Sequence, residues 1–509
     1  MAPAVTPESF FSLQRTESAD VVVLGAGSAG CVVAARLADA GAPVCLVEAG
    51  DYPTDPAIHD PLKWPFLEGR PIDWKYRTIP QPGTAGRVHG WPRGRVVGGS
   101  SCMNAMAYVR GDPSDFDSWA AAGGVRWSYA GLLPGFERSA LPLLRPDGEV
   151  SPLVRSYMAA GRAIGAPSLD WHNGGRLIGV TANTLNIRDG RRVSVADAYL
   201  AQDRKTLRIE TGTIAERLLI DGDRVQGVLV RSGGATRVMH AETVVACLGA
   251  VDSPLLLMRS GIGDPEELAR FGVAAAVALP EVGGNLHDHL LGASNLYAAR
   301  QRVPPSRLQH SESLMYLNSD DPARADGAPD CVLACVTLPV VSDSFDRPQA
   351  GSAYSILFGI THPTSRGRIR LSGPSSTDAP IIDPAYLETE HDRLRFRAAL
   401  RLARAVGSAQ PLDVWRDREL LPSSADLDDF IARAVITHNH PAGTCALGTV
   451  VDGDLRVRSM ENLFVVDSSI IPQITSGPVN AVTVAIAETW AREVFIRDHS
   501  SAERSEPTR

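Results

Sequence analysis

An α/β architecture is predicted, a nucleotide-binding sheet joined to a separate antiparallel-sheet domain, and three observations predict it. Asp20 is followed by Val21-Val22-Val23-Leu24, then Gly25-Ala26-Gly27-Ser28-Ala29-Gly30, then a helical pattern from Cys31 to Ala40. A second apolar run, Val44-Cys45-Leu46-Val47, ends in Glu48. From about Gly292 to Ile431 the pattern changes to short strands with polar loops and then helices. The first two observations are the strand, glycine turn, helix, strand and acid of a Rossmann-like unit. The third is the signature of a second, antiparallel domain.

Each element has a local cause. Val21–Leu24 has no polar alternation, so it reads as a strand buried on both faces. Gly25 permits the sharp turn, Gly27 lets the backbone approach a pyrophosphate, Ser28 opens the helix, and Gly30 lets helix and strand pack closely. Glu48, 23 residues after Gly25, is placed to accept from a ribose 2′-OH and would repel a 2′-phosphate. This disfavours NADP but does not separate NAD from FAD. The stretch from Asp51 to about Arg95 is punctuated by Pro and Gly and predicts loop laid over a ligand. A second glycine turn follows, with Gly98 and Gly99 at its centre. Arg208–Glu210, Arg224–Val230 and Thr243–Cys247 read as strands returning to the first sheet.

The 509 residues suggest about three domain-sized units. Fifty Lys and Arg against 58 Asp and Glu leave a net charge of −8, with no basic run, which argues against nucleic acid or anionic lipid as partners. No apolar run approaches the roughly 20 residues needed to cross a bilayer, and Met1–Asp20 lacks the apolar core of a secretory signal. Seven scattered cysteines predict buried thiols and a cytoplasmic protein rather than a disulfide framework. Cys331 and Cys335 lack two further ligands nearby, so no metal is expected.

Several longer motifs then follow in order. They are Gly94–Asn104 continuing to Gly111, Gly249–Leu257 with Ser260-Gly261-Ile262-Gly263, Val282–His289, Ser365-Arg366-Gly367, His440-Pro441-Ala442-Gly443-Thr444, Val466–Ser469, and Asn480 before the last helix. In this order the sequence resembles the glucose-methanol-choline (GMC) oxidoreductase family over nearly its whole length. The resemblance implies an FAD-binding domain in two parts, 18–292 and 432–498, enclosing a substrate domain, 293–431. It implies that Gly25, Gly27 and Gly30 hold the pyrophosphate and Glu48 the ribose. Ile214 falls where a backbone meets the adenine, and Asn104, Asp467 and Asn480 fall near the ribityl chain and flavin. Met103 stands where relatives with covalent flavin carry His, so the FAD is expected to be non-covalent.

Oxidising an alcohol requires removing a hydroxyl proton as well as a hydride, and a neutral imidazole suits the first task. By position His440 is the family's catalytic His. The second catalytic position of most relatives is Pro478 here, a pocket residue with no side-chain donor. His438, two residues before His440, is the compensating candidate; an extended segment would turn both imidazoles to one side. For His287 and His289 the family pattern implies a structural turn. The His438-Asn439-His440-Pro441 run with Pro478 resembles family members that oxidise the 4-hydroxymethyl group of pyridoxine, with O2 taking the electrons. Choline-like, furanic or aryl alcohols are the alternatives within the family, as are a hydroxynitrile lyase and a flavin-binding protein without an open site.

Overall fold

The computed structural model describes residues 18–146, 148–423 and 426–496. The polar stretch Asp498–Arg509 and all but the last three residues of Met1–Asp20 lie outside them. In chain order the strands of the two main sheets are β1 (Ser18–Leu24), β2 (Val44–Val47), β3 (Gly179–Ala182), β4 (Leu207–Glu210), β5 (Thr213–Asp221), β6 (Arg224–Ser232), β7 (Ala235–Ala246), β8 (Leu290–Gly292), β9 (Leu296–Ala299), β10 (Ser313–Leu317), β11 (Cys331–Val336), β12 (Ala353–Ile360), β13 (Arg416–Leu421), β14 (Val435–Thr437) and β15 (Leu463–Val465). The helices that matter for the site are α1 (Ser28–Asp39), α2 (Tyr129–Arg138), α3 (Gly249–Arg259), α4 (Glu390–Ser408) and α5 (Val479–Trp490).

The first sheet has the order β4-β2-β1-β7-β6-β5, with β15 also paired to β7. Strands β4, β2, β1, β7 and β15 run parallel, and β5 and β6 extend the sheet as an antiparallel ribbon. Val21 to Leu24 are buried on both faces, as their unbroken apolar run requires. The segments 208–210, 224–230 and 243–246 all lie in this sheet, as expected. Between residues 51 and 95 the chain is short 3-10 turns and two-residue strands.

The second sheet is antiparallel, in the order β13-β9-β12-β11-β10-β3, with β8 joining β12 to β14. Its strands are not confined to 293–431, since β3, β8 and β14 come from flanking sequence. α4 covers β12.

α5 is buried almost all round, and a buried ionic group helps fix it against α1. Glu488, fully enclosed, accepts from Arg36 Nη2 and from the Tyr199 hydroxyl, each at 2.7 Å. Arg138 at the end of α2 stands 3.9 Å away. A carboxylate shut off from water is costly without such partners, and these contacts clamp α5 to α1 and α2.

Candidate active site

The nucleotide cradle is built from two glycine turns pressed together. Gly98 N donates to Ala26 O at 2.7 Å, and Gly99 lies so close that a Cβ there would stand 2.6 Å from Gly27 Cα. A Cβ on Gly27 would meet open space instead, and no side chain caps the first turn of α1. The amides of that turn are therefore free to receive an anion. Ser28 Oγ donates to Asn480 Oδ1 at 2.7 Å, joining the N-terminus of α1 to that of α5. Asn480 sits inside the first turn of α5 rather than before it.

Glu48 is buried, and its two oxygens accept from Ala26 N (2.9 Å) and Gly50 N (2.8 Å). Burial lifts its carboxyl to about 7. Thr213 N donates to Glu48 O, which brings Ile214 on β5 beside it. Asn104 Oδ1 accepts from Met106 N and from Arg192 Nη1, leaving its amide hydrogens for a ligand. Arg192 is enclosed, donates also to Ile58 O and Ser101 O, and keeps one buried nitrogen, Nη2, without a partner. Asp467 accepts from Gly249 N, Ser253 Oγ and Ser469 N, at the start of α3. Uncapped amides, an orphaned guanidinium nitrogen and a side-chain amide with free donors fit an anionic, acceptor-rich dinucleotide.

The histidines form a second centre at the end of β14. The run 438–440 is not an extended strand, because Asn439 adopts φ 64°, a left-handed conformation that Asn tolerates better than most residues. The turn nonetheless stacks the two rings, with the His438 and His440 centroids 4.2 Å apart. It is held from three sides. His440 N donates to Asp288 Oδ1 (2.7 Å), whose other oxygen accepts from Thr437 Oγ1 and the Tyr386 hydroxyl, both at 2.6 Å. His438 N donates to His289 O, and Arg93 Nη2 donates to Asn439 O at 2.8 Å.

His289 belongs to this centre as well. Its Nδ1 lies 2.9 Å from His440 Nδ1, and its Nε2 lies 2.9 Å from Thr361 O. The structural-turn expectation holds only for its neighbour: His287 bonds its own loop through Asn285 O and pairs its backbone with Ala442. His289 instead reaches the candidate base, and neither its residue type nor its place in the His287-Asp288-His289 run signalled this contact. All three imidazoles are held neutral. Burial pushes His289 to about 3 and His438 to about 4, and burial with His438, His289 and Arg93 nearby pushes His440 well below 6.5. One ring nitrogen from each lies within 4.8 Å of the others. The spacing is within reach of a metal ion, but the Nδ1–Nδ1 bond already pairs two of the donor atoms.

Pro478 is the buried N-cap of α5. The loop before it is tied by Asp115, which accepts from Ser476 N (2.7 Å), Ser476 Oγ (2.8 Å) and His362 Nε2 (3.0 Å). All seven cysteines are buried and free. Among the described residues no helix is long and apolar enough to cross a membrane.

Comparison with known proteins gives one consistent pattern. The two GMC oxidoreductase family models match residues 19–291 and 363–487. Pyridoxine 4-oxidase of Microbacterium luteolum is 48% identical over 499 residues, 92% of this chain and 98% of the relative. The mitochondrial choline dehydrogenase of Mus musculus is 34% identical, with 95% and 90% covered. The crystal structure of pyridoxine 4-oxidase from Mesorbium loti superposes with a TM-score of 0.92 at 51% identity, over 94% of this chain and 99% of that one.

Proposed function

The chain belongs to the GMC oxidoreductase family, and from that premise we propose that it oxidises the 4-hydroxymethyl group of pyridoxine to pyridoxal, with O2 as final acceptor and H2O2 as product. The cofactor is FAD, and the reaction class is oxidation of a CH–OH group. The two-electron acceptor for the carbinol hydride is the chemistry that bound FAD supplies. Gly25, Gly27, Ser28, Gly30, Gly98 and Gly99 would hold its pyrophosphate region, and Glu48 and Ile214 its adenosine. Asn104, Asp467 and Asn480 would line the ribityl and flavin end.

The observation that carries this reading is the pair of neutral, stacked imidazoles on a turn anchored by Asp288 and Arg93. His440 would take the hydroxyl proton, since a neutral imidazole is an acceptor at physiological pH and its cation then stabilises negative charge left on oxygen. His438, beside it, would orient the substrate. Pro478 would shape the pocket without donating, which leaves the polar work to the histidine side. The division is into an FAD-binding part, 18–292 with 432–498, and a substrate part, 293–431, whose sheet also takes β3, β8 and β14 from the flanking sequence. Seven enclosed thiols support a cytoplasmic location.

The test is an aerobic peroxide assay across pyridoxine, choline, benzyl alcohol and hydroxymethylfurfural. Peroxide from pyridoxine is the expected result, and turnover confined to any of the others overturns the substrate assignment. Because Met103 occupies the position before Asn104, acid precipitation should leave the yellow flavin in the supernatant. Flavin retained by the pellet would refute non-covalent binding.

A further inference from the structure

We propose that His289 is a positioning residue that fixes the tautomer of His440, presenting its Nε2 lone pair to the substrate hydroxyl. The inference rests on the reading of His440 as the base. The proton positions follow from one end of a chain of groups. A backbone carbonyl only accepts, so at 2.9 Å from Thr361 O it is His289 Nε2 that carries the hydrogen. A neutral imidazole has a single N–H, so His289 Nδ1 offers a lone pair. Across the 2.9 Å contact, His440 Nδ1 must then be the donor. Its one hydrogen is thereby committed, and Nε2 is left as the basic nitrogen. That atom makes no hydrogen bond among the described residues.

The anchor of the chain is rigid. Thr361 follows directly on β12; its N donates to Asp330 O, and its Oγ1 donates to Pro329 O at 2.5 Å. The sheet thus sets the carbonyl, the carbonyl sets His289, and His289 sets His440. The groups facing the pair are His438, Arg93, His362 and His287, none of them an anion, while the nearby carboxylate Asp288 is directed at the His440 backbone. This surrounding favours neutral rings and a single pattern of hydrogens. When the substrate O–H bond breaks and an N–H bond forms at Nε2, the Nδ1–H···Nδ1 contact becomes charge-assisted and shares the new positive charge with His289.

The experiment uses holoenzyme labelled with [15N]histidine, without substrate. The His440 ring, assigned by its disappearance in His440→Gln, should be protonated at Nδ1; protonation at Nε2 overturns the proposal whatever the substrate is. In anaerobic stopped-flow with pyridoxine, His289→Leu should lower the limiting rate of flavin reduction by about 100-fold with the substrate Kd changed less than about threefold. His289→Gln, whose carboxamide both accepts and donates, should recover at least about tenfold of that loss. A Leu variant within about fivefold of wild type, or a Gln variant no faster than Leu, also overturns it. Failure of the wild-type enzyme to bleach with pyridoxine would refute the substrate assignment instead and leave the tautomer measurement intact.

Discussion

His440→Ala is expected to keep its FAD and its fold while losing substrate-dependent flavin bleaching by about 10²–10⁴-fold, the usual contribution of a positioned general base. The substitution leaves the main-chain clamp intact, because Asp288 holds the His440 amide and Arg93 holds the Asn439 carbonyl. What disappears is the half-buried ring and its bond to His289. His438 is the nearest replacement, 4.2 Å away between centroids, but its backbone sits two residues earlier on the turn. Anaerobic stopped-flow at saturating substrate reads the effect directly; near-normal bleaching would remove His440 from the chemistry.

Gly30→Ala is expected to damage cofactor capture instead. A Cβ on Gly30 would lie 1.8 Å from Gly25 O and 3.0 Å from Gly25 C. Both are main-chain atoms at the bend between β1 and α1, so no rotamer change relieves the overlap. Moving α1 away from the bend at a cost of about 3 kcal/mol corresponds to roughly 100-fold weaker FAD binding if the strain falls on the bound form. The flavin-to-protein ratio after gel filtration, compared with helix content by circular dichroism, checks this. A wild-type flavin ratio would show that the turn tolerates the methyl group.

These two residues mark what local sequence can and cannot encode. Gly30 was legible because everything it needs lies within about 25 residues: an apolar strand, a turn, a helix and the acid at Glu48. The strands at 208–210, 224–230 and 243–246 were legible for the same reason, since burial patterns are written along the chain. His440 was legible from its motif and its chemistry. His289 was not, because its meaning depends on Thr361 and His440, 72 and 151 residues away, and side-chain hydrogen bonds leave no periodic trace. An extended His438–His440 segment was one way to bring the two rings together; the structure brings them together instead by a turn at Asn439, whose left-handed conformation period-two reasoning does not include. The recruitment of β3 and β14 into the second sheet escaped for a related reason. Edge strands of three and four residues carry too few side chains to announce which sheet they join.

The bond between Ser28 and Asn480 and the ion pair between Arg36 and Glu488 each span 452 residues, which places a constraint on biosynthesis. A nascent chain emerging from the ribosome completes β1, α1 and β2 long before the strand β15 and the helix α5 that shut the cradle. The cradle around the glycine turns is therefore incomplete until β15 and α5 have been made and docked, however early β1, α1 and β2 fold.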